Sequence, residues 1–86
     1  MDDTLKRVQT LLREIGPLLA GQGAAAQGAV LADLLAMWIA GHCTPGSEHE
    51  TRQTREELLE HHIATVRELV PENAKSLGLP GWSFKN

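Results

Sequence analysis

The sequence predicts an all-α protein, and three observations favour that class. Ala, Leu, Glu, Gln and Arg dominate the composition, and these residues favour helix. No stretch alternates between apolar and polar residues for long enough to form a strand. Caps, glycines and prolines divide the chain into segments with helical periodicity. We therefore expect an antiparallel bundle of three main helices, at about 3–15 or 3–20, 24–40 and 48–70, with a short C-terminal helix at about 71–77 and an irregular tail.

The first predicted helix is amphipathic. It begins near Asp2 or Asp3, because a carboxylate there accepts hydrogen bonds from the free N–H groups of the first turn. Gly16 and Pro17 should end or kink it, since proline lacks an N–H and clashes with the preceding turn. At about 100° per residue, the apolar side chains share one arc, which contains Leu5, Val8, Leu11, Leu12, Ile15 and Leu19.

The second predicted helix is apolar almost all round, apart from one carboxylate, Asp33. That carboxylate lies opposite the large side chains, among alanines. One interpretation is that this face is the solvent-exposed side of the helix and that Asp33 makes it soluble. The other is a face of small residues against which a second helix packs closely, and Asp33 then needs a partner because an unpaired buried charge is costly. The large side chains expected in a core or interface are Leu31, Leu34, Leu35, Trp38 and Ile39.

The third predicted helix combines an apolar arc with two polar residues. Arg55 and His62 fall on the same arc as the apolar side chains. Either side chain can donate a hydrogen bond to the Asp33 carboxylate, within one chain or between two chains. The alternative is that His62 bonds a backbone group in a core or interface, while the Arg55 head group extends to water. The apolar members of the arc are Leu58, Leu59, Ile63, Val66, Leu69 and Val70.

Capping residues set the expected ends of this helix. A capping box at 47–50 competes with a second candidate box at 54–57 as the start. Pro71 then opens the short C-terminal helix at its first position, and Gly78 follows as its C′ residue. Trp82 and Phe84 of the tail are expected to dock, because leaving both in water forfeits the free energy of their burial.

Chain length favours association. The 86 residues are expected to form one helical domain, 1–86. A chain this short buries only about 60–65% of its unfolded surface, and a single cysteine provides no disulfide to supplement the core. A helix that is apolar almost all round also needs more cover than two other helices give. We therefore predict a homodimer that acts by protein–protein association, with no catalysis of its own.

Net charge and residue composition narrow the functional class of the protein further. The net charge of -3 and the three aromatic residues argue against nucleic-acid binding. The single cysteine, the charged N-terminus and the lack of an apolar run of about 20 residues predict a cytoplasmic protein that neither crosses nor binds a membrane. No phosphate loop, dinucleotide fingerprint, EF-hand loop or zinc-protease motif occurs, so no cofactor is predicted.

Two alternative functions stay open. His42, Cys43 and His49 bracket the loop before the third helix, and such residues bind zinc or supply an activated thiol. No Cys-x-x-Cys pair accompanies them, so a metal- or thiol-dependent site is the alternative rather than the prediction. The other alternative is a heteromeric adaptor or inhibitor that docks through the face around Asp33.

Overall fold

The computed structural model is all-helical and describes residues 2–80. Its helices are α1 (Asp3–Leu19), α2 (Ala24–Ala40) and α3 (Glu48–Ser76), and no strand occurs in the described range. The all-α class is thereby confirmed, and the predicted bounds of α2 match the observed ones. Trp82, Phe84 and most of the predicted tail lie outside the described residues.

Contacts divide the chain into two units, Met1–Ala36 and Met37–Asn86. The first unit holds α1 and most of α2, and the amide of Gln27 there donates to the carbonyl oxygen of Leu19 at 2.8 Å. The second unit holds the end of α2, the connecting loop and α3. A single domain over residues 1–86 remains a prediction.

A capping carboxylate starts α1. Asp2 has extended backbone angles, and its Oδ1 accepts a hydrogen bond from the backbone N–H of Thr4 at 2.9 Å. Hydrogen bonds from Thr4, the backbone bond foremost, lower the pKa of the Asp2 carboxyl because they favour its charged form. This cap is therefore present at neutral pH and is lost only as the pH falls through the lowered pKa of the Asp2 carboxyl.

Pro17 lies within α1, so of the two predicted bounds, about 3–15 and about 3–20, the shorter is wrong and the longer agrees with the observed end at Leu19. A proline inside a helix removes one hydrogen bond to the carbonyl four residues earlier. That loss falls in the last turn, only two residues before the helix ends at Leu19. The Ala20 N–H then bonds the Gly16 carbonyl oxygen at 3.0 Å, and Gly21 takes a φ of 78°, which turns the chain toward α2.

The first candidate capping box starts α3. Ser47 is the N-cap, and its Oγ accepts from the backbone N–H of Glu50 at 3.2 Å. The predicted separate helix at 71–77 is wrong, because α3 continues through Pro71 to Ser76. Pro71 removes a single backbone hydrogen bond from the helix. Good helix formers such as Arg67, Glu72 and Ala74 flank the proline, and their helix propensity offsets that loss so that the helix continues.

The end of α3 has the predicted glycine. Gly78 has a φ of 70°, a left-handed conformation that glycine adopts without a Cβ clash. The Leu79 N–H bonds the Ala74 carbonyl oxygen at 2.9 Å, and the Gly78 N–H bonds that of Lys75 at 3.1 Å. These two bonds define a Schellman motif, which confirms Gly78 as the C′ residue.

The start of α3 can be tested by removing each candidate cap. We expect Ser47→Ala to lower the free energy of unfolding by about 1 kcal/mol, because the first turn loses its acceptor. Thr54→Ala is the matched control and should lack this effect, since residue 54 lies inside the helix. Urea unfolding followed by circular dichroism at one protein concentration measures both. A larger loss for Thr54→Ala would contradict the assigned start.

Candidate functional site

Apolar side chains are exposed on all three helices. No apolar residue is buried anywhere in residues 2–80, and Thr51, at 9% exposed, is the one buried residue there. Among the large side chains that the sequence places in a core or interface, Leu35 and Ile39 are half-buried. The other members of that set are exposed, so they are not core residues of this chain: Leu31, Leu34, Trp38, Leu59, Ile63 and Val66.

The predicted burying arc of α3 is split into two adjacent stripes. The covered stripe is largely polar and comprises the buried Thr51 and the half-buried Thr54, Arg55, Leu58, His62 and Thr65. The apolar stripe is exposed and comprises Leu59, Ile63, Val66 and Val70. At about 100° per residue, the centres of the two stripes also lie about 100° apart around the helix. The polar edge of the arc is thus covered, and the apolar edge meets water.

Arg55 covers the end of α2. Its Nη2 donates to the Ala40 carbonyl oxygen at 2.7 Å, and its Nε donates to that of His42 at 3.2 Å. The last carbonyls of a helix lack partners within the helix and carry the negative end of its dipole. A guanidinium is therefore a favourable partner for them. Sequence reasoning placed Arg55 on the correct arc but did not foresee this role.

Trp38 lies between two imidazoles. The His62 ring stacks on the indole with a centroid distance of 4.7 Å and an interplanar angle of 19°. The His42 ring meets it edge-on at 4.7 Å and 70°. His42 Nδ1 lies 2.7 Å from the Trp38 carbonyl oxygen, which only accepts, so Nδ1 carries the proton. We call the set of Trp38, His42, Arg55 and His62 the α2–α3 junction.

Thr51 fixes the loop beside this junction. Its Oγ1 accepts from the Thr44 N–H at 2.9 Å and donates to the Ser47 carbonyl oxygen at 2.8 Å. The same hydroxyl lies 3.9 Å from the Sγ of Cys43. No sequence pattern singles out Thr51, because a threonine in the first turn of a helix is ordinary.

The candidate metal and thiol residues do not converge. His42 is engaged with Trp38, and Cys43 is a free, exposed cysteine. In residues 2–80, no three His, Cys, Asp or Glu residues are placed to hold one metal ion, so His42, Cys43 and His49 form no such group.

The face around Asp33 is open. Asp33 is exposed, and so are the small residues that share its face, namely Ala26, Ala29, Ala36 and Ala40. The bonds of Arg55 go to carbonyl oxygens, and His62 stacks on Trp38. A contact of Asp33 with either residue across two chains remains a prediction.

Comparisons with known proteins identify no relative. No family, curated protein or solved structure matches the chain. Within the part of the chain that the structure describes, none of the helices has both the length and the hydropathy to cross a membrane.

The role of Arg55 can be tested with a substitution that keeps its apolar stem. We expect Arg55→Met to lower the free energy of unfolding by about 1–2 kcal/mol, because two carbonyl oxygens lose a charged donor. Arg52→Met is the matched control. Arg52 forms an exposed i,i+4 ion pair with Glu48, so its loss should stay below about 0.5 kcal/mol. Equal losses in urea unfolding would contradict the assigned role.

His62 allows a test of the stacked pair. Its Nδ1 is buried and has no hydrogen-bond partner within residues 2–80. We expect His62→Leu to leave stability unchanged or raise it, since leucine covers Trp38 without a buried polar atom. His62→Ala should lower the free energy of unfolding by about 1 kcal/mol, because the stacking contact is lost. Thermal unfolding measures both, and a stability loss for His62→Leu as large as for His62→Ala would mean that the imidazole has a polar partner.

Proposed function

We propose that this protein acts by protein–protein association and that its partner is a second copy of the same chain. The observation that carries the proposal is the exposure of apolar stripes on α1, α2 and α3, with no apolar residue buried in residues 2–80. Removing apolar surface from water contributes about 25 cal/mol per Å². Exposed apolar stripes of this kind are typical of an interaction site.

An antiparallel arrangement of the end of α2 and α3 fits the contacts of the second unit. Thr44 pairs with Thr51, Ala40 with Arg55, and Trp38 with His62. Contacts thus join residues progressively further from the loop on both sides, as in a helical hairpin. In our proposal, this hairpin is half of a bundle that the second copy completes.

The proposed setting is the cytoplasm, and the proposed activity is association without catalysis. Cys43 is a free, exposed thiol, which persists in a reducing compartment. The described residues give the metal- or thiol-dependent alternative no converging set of ligands. The adaptor alternative has one supporting observation, the exposure of Asp33 and the alanines around it.

Sedimentation equilibrium at micromolar concentration tests the proposal. We expect a species of twice 9.4 kDa, and a thermal midpoint that rises with protein concentration because only the folded dimer is stabilised by mass action. A monomer with a concentration-independent midpoint would contradict self-association. Asp33→Ala is the companion variant: it weakens the dimer if Asp33 pairs across the interface, and leaves it intact if that face meets water or another protein.

A further inference from the structure

We infer that the dimer forms through the apolar stripe of α3, packed against the same stripe of a second copy with the two helices antiparallel. This inference rests on the proposed function and names the surface that carries it. The stripe residues are spaced by four, three and four, which is the a/d spacing of a coiled coil. Their exposed fractions range from 38% at Leu59 to 52% at Val66, so the whole stripe is open.

The stripe is self-complementary in one register. When Leu59 lies opposite Val70 of a second copy, Ile63 lies opposite Val66 of that copy, because both pairs have the same midpoint in the sequence. The two-fold axis then passes between positions 64 and 65. All four layers of this interface are apolar, as an isologous contact requires. The stripe therefore fits another copy of itself without a polar residue in its central layers.

Charge complementarity favours the antiparallel direction. Glu60 and Arg67 follow Leu59 and Val66 in the sequence, so they lie on one edge of the stripe. Antiparallel helices bring these edges together, which places Glu60 of each copy beside Arg67 of the other. Arg67 already has a partner in its own chain, and the five N–H donors of a guanidinium allow a further one.

The opposite edge of the stripe disfavours parallel pairing. That edge carries Arg55 and His62, which are engaged with α2 through the carbonyl of Ala40 and the ring of Trp38. Parallel coiled coils set the two different edges of the helices against each other. A parallel pair would therefore need an edge that is already occupied, whereas an antiparallel pair sets the two open edges together.

Charge reversal tests the register. We expect Glu60→Arg and Arg67→Glu each to raise the dimer Kd by at least about tenfold, because each creates two like-charge pairs. The double variant should restore the Kd to near that of the unaltered protein, since the opposite charges are exchanged. Glu68→Arg is the matched control for Glu60→Arg, with the same change in net charge on the far side of the helix, and should leave the Kd unchanged. Sedimentation equilibrium at low ionic strength measures all four.

The outcomes separate this inference from the proposal beneath it. A monomeric parent protein contradicts both. A dimer that ignores the single reversals, or that the double variant does not restore, overturns the α3 interface and leaves self-association standing. Circular dichroism of each variant checks that helix content is retained.

Distances between spin labels give a second, independent test that needs no charge change. In a Cys43→Ser background, single labels are placed through Glu57→Cys, Ala64→Cys and Glu72→Cys. The two-fold axis lies between positions 64 and 65. The two labels at position 57 are therefore separated along the helix axis by roughly 22 Å, and so are the two labels at position 72. The two labels at position 64 are separated along the helix axis by only roughly 2 Å. We expect longer distances at 57 and 72 than at 64. Similar distances at all three positions would mean a parallel pair and overturn the inference.

Discussion

The bonds from Arg55 to the end of α2 are the interaction on which the surface of this protein depends. Arg55 donates to the carbonyl oxygens of Ala40 and His42, and these two hydrogen bonds fix how α3 is rotated about its own axis in the second unit. The stack of His62 on Trp38 holds the same rotation two turns further along. With that rotation, α3 turns a polar edge to α2 and its apolar stripe to water. The exposure of the stripe follows from the polar contacts beside it.

Most of the fold follows from local chemistry in the sequence. Caps at Asp2 and Ser47 and the left-handed Gly78 mark helix ends through hydrogen bonds with near neighbours, so single residues predict them. The two prolines predict helix ends less well. Each removes only one hydrogen bond, and whether the helix continues depends on its neighbours and on what the next turn gains. Pro17 and Pro71 both lie inside helices for that reason.

The candidate site was predictable only in part. Periodicity placed Arg55 and His62 on the arc that α2 partly covers, because the arc depends only on helix geometry. Periodicity does not show which edge of the arc is covered. That depends on the hydrogen bonds of Arg55 to backbone carbonyls of residues that lie 13 and 15 positions before it in the chain. Backbone carbonyls are present at every residue, so the sequence carries no mark of the ones that Arg55 selects.

In the dimer that we propose, the covered polar edge beside the open apolar edge of α3 limits association through this stripe to two copies. An isologous contact uses the same stripe on both chains, so each stripe is consumed when the pair forms and no further copy can be added through it. A heterologous contact between the α3 stripe and a different helix would leave one stripe of each kind open and extend into a chain of subunits. In α3, the pair Leu59 and Val70 has the same sequence midpoint as the pair Ile63 and Val66. This symmetry favours the closed dimer over such growth.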